Sequence, residues 1–181
     1  MNPKTAATVD DLYLVPGKAE LVGGEIVMMS PTGGIPAEVA LRIGASLLRY
    51  TERTKTGHAV GDNAGFVVDL PDRKSFSPDA AYFVGHSSMK FIDGAPAFAV
   101  EVRSEGDYGP AAEEEMAGKR ADYFTAGTQV VWDVDLQSPD AVRVYRSGDP
   151  DHPTIYRRGQ LAEAEPAVPE WTMPVDDLFP A

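Results

Sequence analysis

The chain has 181 residues, 43% of them hydrophobic, with 28 acidic against 16 basic side chains, a formal net charge of −12 and no cysteine. That length suits one domain, residues 1–181, with a single core, and the missing cysteines exclude disulfides, thiolate metal sites and cysteine nucleophiles, so any metal must be held by oxygen or by the three histidines. The acidic balance gives no global attraction to polyanions, and basic residues occur only in short groups such as 49–55, Arg73-Lys74, Lys119-Arg120 and Arg157-Arg158.

No apolar run approaches the ~20 residues that span a bilayer, and the N-terminus lacks the basic-then-apolar layout of a secretory signal. The expectation is a soluble cytoplasmic protein with no membrane segment.

Thr8 followed by Asp10 and Asp11 reads as a capped helix start, with a stop before Pro16-Gly17. Residues 19–22 and 25–29 are β-like runs separated by Gly23-Gly24, a hairpin signal. A first long helix is expected over 36–55, where Val39, Ile43, Leu47 and Tyr50 recur at helical spacing, joined by Leu48, and face a core. Strands follow at 65–70, 80–84 and 98–102, the last apolar enough to be central. A second long helix over 110–126 has Pro110 in its first turn, Glu113 to Glu115 near its positive end and Gly127 at its stop. Strands at 130–135 and 141–146 come next, with an edge strand at 154–158. The Ala-, Glu- and Pro-rich tail reads as irregular until Trp171 and Leu178-Phe179 dock back. The sum is an α/β (α+β mixed) fold with a mixed sheet and two principal helices.

Strand alternation puts Phe98, Val100 and Val102 on one face and Ala99, Glu101 and Arg103 on the other. Glu101 therefore sits in an apolar strand, where a carboxylate must be paired, protonated or metal-bound. A salt bridge to Arg103 or Arg120 and a functional role both remain open. Asp79 follows Pro78 at the mouth of the 80–84 strand. Alone it reads as a strand-end aspartate, but paired with Glu101 it could help to hold Mg²⁺ or Mn²⁺, which take hard oxygen ligands.

Lys119 lies on the flank of the second helix's inward stripe. It can pair with Glu115 or Asp122 on its own helix, or snorkel towards the sheet. His58, His86 and His152 lack metal-ligand spacing and read as surface residues. Glu20 and Glu25 bracket the hairpin and could be solvated.

The ordered set Glu20-Leu21-Val22-Gly23-Gly24-Glu25, Met28-Met29-Ser30-Pro31, Ser77-Pro78-Asp79, Val100-Glu101-Val102, Lys119 with Tyr123, Gly127, Trp132, Asp135 and Leu178-Phe179 resembles the Uma-type family of restriction-endonuclease-like proteins. The resemblance covers nearly the whole chain. It implies the PD-(D/E)XK nuclease fold, a mixed central β-sheet flanked by helices, with Asp79 and Glu101 as metal ligands, Lys119 at the reacting phosphate and Glu20 as an accessory acid. In the parent motif the lysine stands two residues after the glutamate, where this chain has Arg103; in the Uma-type pattern it comes from the following helix, as Lys119 does. The family also commonly carries a histidine near the start of the first long helix, where this chain has Pro36-Ala37-Glu38.

These readings lead to an expected Mg²⁺- or Mn²⁺-dependent nuclease with catalytic residues Asp79, Glu101 and Lys119, acting on nucleic acid, DNA before RNA, as a homodimer. The alternative, motivated by the acidic balance, is a catalytically inactive nuclease-fold binding or interaction module.

Overall fold

In the computed structural model, residues 6–180 are described. Thr8 and Asp11 form a reciprocal capping box that starts α1 (Val9–Leu12). The β1 (Ala19–Val22) and β2 (Glu25–Met28) strands pair as a hairpin, turning through Gly23 and Gly24 at φ 59° and 73°. A two-residue turn of that kind needs positive φ at both positions, which glycine adopts without strain. The long helix α2 (Gly34–Thr54) buries Val39, Ile43, Leu47 and Tyr50, but Leu48, one residue off that stripe, is exposed rather than in the core.

The middle of the chain supplies β3 (His58–Val60), β4 (Phe66–Val67), β5 (Ser75–Phe76), β6 (Ala80–Phe83), β7 (Ile92–Asp93) and β8 (Phe98–Val102). Helix α3 (Pro110–Ala126) then crosses to β9 (Val130–Val134), which is followed by β10 (Val142–Arg146), β11 (Asp149–Tyr156), β12 (Leu161–Glu163), β13 (Thr172–Pro174) and a 3₁₀ turn at Val175–Leu178.

Six strands form the main sheet in the order β11-β10-β9-β8-β6-β3. Its β8–β9 pair is parallel and every other neighbouring pair antiparallel. The parallel pair needs a crossover, and α3 provides it. Strand alternation on β8 is as read from the sequence: Phe98, Val100 and Val102 join Ile43 and Leu47 of α2 in one core cluster, while Ala99 joins Tyr123 of α3 in the other. One long helix thus covers each face of the sheet.

Three further expectations need correction. The strand read at 65–70 is only the two-residue β4, which pairs with β5 and β7 in a small separate sheet; Leu70 N–H donates to Arg73 O in a tight turn, and Pro71 between them cannot donate to any ladder. The edge strand lies at 149–156 rather than 154–158, since the chain turns straight after β10 and Arg146 already pairs with Asp149. The tail is not irregular up to Pro169. β12 pairs with β13, and Ala162, Ala164 and Val168 are fully buried. Small side chains let this segment lie close to the sheet, and Trp132 Nε1–H donates to Glu163 O at 2.9 Å.

Trp171 closes that face, its ring 5.1 Å from Trp132 and 5.7 Å from Phe98, centroid to centroid. Replacing it with alanine is expected to cost about 3–5 kcal/mol in urea-induced unfolding. Leu41→Ala on the exposed side of α2 should change stability by less than about 0.5 kcal/mol. Equal losses at the two positions would mean that the tail does not contribute to the core.

Candidate active site

The site is built on the α3 face of the sheet, where β8 directs Glu101 and Arg103. Asp79 stands one residue before β6, in phase with Ala81 and Phe83 of that face. Its position is set by the backbone of β8: Asp79 N–H donates to Val100 O at 3.0 Å, and Asp79 Oδ2 accepts the Val102 N–H at 2.8 Å. Proline at 78 costs nothing there, since a strand's first residues need not donate. Asp79 and Glu101 thus come from adjacent strands, and both line one cleft of about 1210 Å³.

Lys119 does not pair with Glu115 or Asp122. Its ammonium reaches the sheet and lies 2.9 Å from both Glu101 Oε1 and Glu20 Oε1. Asp122 instead binds Arg73 Nε at 2.8 Å. One turn along α3, the Tyr123 hydroxyl donates to Glu101 Oε1 at 2.7 Å, so residues four apart on one helix face grip the same carboxylate.

Glu20, at 3% exposure, is not a solvated hairpin residue. It accepts the Ser77 N–H at 2.8 Å and Arg73 Nη1 at 2.5 Å in addition to Lys119. Glu25 lies on the exposed side of the hairpin.

The electrostatics follow from this packing. Burial pushes the Glu101 carboxyl up to about 7; Lys119 opposes the rise, and the Asp79 and Glu20 carboxylates add to it. For Lys119, burial alone would lower the pKa, but Glu101 and Glu20 outweigh it and hold the ammonium above its ordinary value. Burial would likewise raise Glu20, yet Lys119, Arg73 and the Ser77 amide bring it below the usual carboxylate range. Tyr123 is raised well above 10, by burial first and then by Glu101 and Glu20, so its hydroxyl keeps its proton.

Arg103 and Arg120 do not bridge to Glu101. Arg103 donates through Nε and Nη2 to the two carboxylate oxygens of Asp133 at 2.8 and 2.7 Å, and its Nη1 and Nη2 also contact Glu113 at the start of α3. Arg120 stacks on the Tyr145 ring, 3.7 Å from its centroid. All three histidines are exposed.

Sequence reasoning missed Lys18, whose Nζ lies 2.7 Å from Asp79 Oδ1 and 2.6 Å from Asp62 Oδ1, and it passed over Arg73 and Tyr123 as site residues. The available signals were the i,i+2 relation of Lys18 to Glu20 on one strand face and the i,i+4 relation of Tyr123 to Lys119.

The architecture is that of an α/β protein of nuclease fold. A crystal structure described as that of "a putative nuclease" from Anabaena variabilis ATCC 29413 matches it with a TM-score of 0.74, covering 98% of both chains at 19% identity. The model of the Uma2 family, described as "Putative restriction endonuclease", matches residues 9–176, and this chain belongs to that family. No protein of curated function matches the chain. No helix among the described residues is long and apolar enough to cross a membrane.

The raised Glu101 pKa has a measurable sign. Between about pH 4.5 and 7 the folded protein keeps a proton that the unfolded chain has released, so the stability linked to Glu101 is full below that window and is lost as pH rises through it. Glu101→Gln is therefore expected to gain in melting temperature relative to wild type between pH 5 and pH 8. A constant difference across that range would mean that Glu101 titrates as an ordinary carboxylate.

Proposed function

We propose that this protein is a divalent-metal-dependent nuclease of the PD-(D/E)XK kind that hydrolyses phosphodiester bonds, with DNA as its substrate. In this reading Asp79, Glu101 and Lys119 are the catalytic residues and Glu20 is an accessory acid. The observation that supports it most is the reach of Lys119 from α3 to within 2.9 Å of Glu101, on the strand that also clamps Asp79.

Among the described residues, no three His, Asp or Glu side chains are grouped so as to enclose a metal ion. A fully protein-made cage is not what Mg²⁺ or Mn²⁺ requires in such sites. These ions bind through one or two carboxylates and complete their shells with water and substrate phosphate, so the pair Asp79 and Glu101 fits them by donor type. A cation held there would act as a Lewis acid on a phosphoryl oxygen and lower the pKa of a water molecule.

The chain's own groups supply the rest. Lys119 is held charged, which makes it a hydrogen-bond donor and source of positive potential for charge developing on the phosphate, rather than a proton acceptor. Were Glu101 to take a cation, Glu20 would keep its hold on that ammonium and the lysine its position. Tyr123 stays protonated and fixes the Glu101 carboxylate. Acidic side chains outnumber basic ones along the cleft, so substrate phosphate is repelled until a cation offsets them.

Wild-type protein is expected to nick supercoiled plasmid with Mn²⁺ or Mg²⁺ and not with chelator. Asp79→Asn, Glu101→Gln and Lys119→Met should each lower the rate by about 10²-fold or more, the size of effect expected when a charge-stabilising group is lost. Calorimetry should show cation binding by wild type and none by the Asp79→Asn, Glu101→Gln double variant. A wild type that binds no divalent cation and cuts neither plasmid, single-stranded DNA nor RNA would sink this reading in favour of a non-catalytic binding module. Cutting both strands of a duplex is served by two sites, and the proposal includes a homodimer, which sedimentation velocity reads directly.

A further inference from the structure

Lys18 is used by no step above, yet it occupies a decisive place. Asp79 Oδ2 is committed to the Val102 amide, so Oδ1 is the oxygen that remains for a ligand. Lys18 Nζ stands on it at 2.7 Å, and the same ammonium is 2.6 Å from Asp62 Oδ1. The two contacts differ in setting. The Lys18 and Asp79 side chains are 17% and 20% exposed, whereas Asp62 is 50% exposed.

The other site carboxylates have other cations: Lys119 serves Glu101, and Lys119 with Arg73 serves Glu20. Among the described residues, Lys18 is thus the cation paired with Asp79, and it is shared with Asp62. An ammonium and a divalent cation cannot both sit in contact with one carboxylate oxygen without strong repulsion. Asp62 gives the ammonium a second carboxylate already within reach, so it can leave Asp79 without being stranded.

We propose that Lys18 is a built-in competitor for the cation position on Asp79. In this reading it moves to Asp62 alone when a divalent cation binds, and its freed donor then holds a non-bridging oxygen of the substrate phosphodiester. The inference rests on the reading of Asp79 as a cation ligand. It adds a substrate-binding residue and an exchange of partners that the catalytic triad does not contain.

The test is Mn²⁺ titration of the full chain by calorimetry, comparing wild type with Lys18→Met and Lys18→Arg at 0.1 M salt. Removing the competing charge should tighten Mn²⁺ binding by about tenfold, whereas Lys18→Arg, which keeps the charge, should stay within about threefold of wild type. Lys18→Gln makes the same comparison if the methionine variant folds poorly. A second readout is fluorescence anisotropy with a labelled single-stranded DNA oligonucleotide whose phosphorothioate linkages resist cleavage, at saturating Mn²⁺. There, Lys18→Met should weaken binding.

Tighter Mn²⁺ binding together with weaker oligonucleotide binding supports the proposal, since a merely structural lysine would not move the two in opposite directions. Unchanged or weaker Mn²⁺ binding by the neutral variants, with wild type binding Mn²⁺, overturns the competition and leaves the nuclease reading standing. Unchanged oligonucleotide binding overturns the phosphate-holding role. Tighter Mn²⁺ binding in a protein whose wild type cuts nothing upholds the competition and sinks the nuclease. A wild type that binds no Mn²⁺ overturns both.

Discussion

One ammonium group holds this site together. Lys119 lies between Glu20 from the β1 hairpin and Glu101 from the central strand, so a single charge on α3 ties three distant stretches of chain. Glu20 is almost fully buried, and a carboxylate there is tolerated only while it is paired and hydrogen-bonded. Ser77, Arg73 and Lys119 meet that condition together. Glu101 is less completely satisfied. It shares Lys119 with Glu20 and takes one hydrogen bond from Tyr123, and burial first, then the Asp79 and Glu20 charges, raise its pKa against the pull of Lys119. The same arrangement therefore produces one firmly ionised acid, Glu20, and one, Glu101, whose carboxyl is raised.

Behind the acids, aromatic packing fixes the donors. The Arg73 guanidinium lies 5.0 Å from the Phe76 ring centroid, and Phe76 stacks on Tyr123 with centroids 4.0 Å apart. These three residues form a column whose polar ends point at Glu20 and Glu101. Ala81 and Ala99 beside it are fully buried and small, which leaves room for the column against the sheet. The stacking limits the rotamers open to Tyr123, and its hydroxyl stays aimed at Glu101. Precision at the carboxylates thus comes from the core on this face of the sheet as much as from the charges themselves.

The parts of this arrangement legible in sequence were those set by a local period. Alternation along β8 separated Glu101 from Val100 and Val102, the two glycines of the hairpin marked its turn, and Pro110 and Gly127 bracketed α3. Strands of two residues, such as β4, β5 and β7, are too short to show a period at all. The β12 segment was missed because its buried residues are alanines, which carry little hydrophobic signal yet pack closely against Trp132. Lys18 and Asp79 are 61 residues apart, and no local rule joins them. Lys119 lay between these cases: helical phase allowed it to face either its own helix or the sheet, and only the position of Glu20 decides between them.

Arg103 shows why the cation facing Glu101 comes from the helix and not from the strand. Two residues after Glu101, on the same face, it is engaged by both oxygens of Asp133 and by Glu113. A planar guanidinium suits that double fork, and an ammonium would not satisfy both acids in the same way. Bound so, Arg103 has no donor left for Glu101, and it pins the first turn of α3 to the sheet through Glu113. Tyr123 pins the same helix further along, at Glu101. Lys119 lies between these two pins, so its reach to the carboxylates is set by how α3 docks. A lysine on the strand would need no such docking. With the amine on a helix, the charge distribution of the site depends on the contact between α3 and the sheet, which gives Arg103 an influence over Glu20 and Glu101 without touching either.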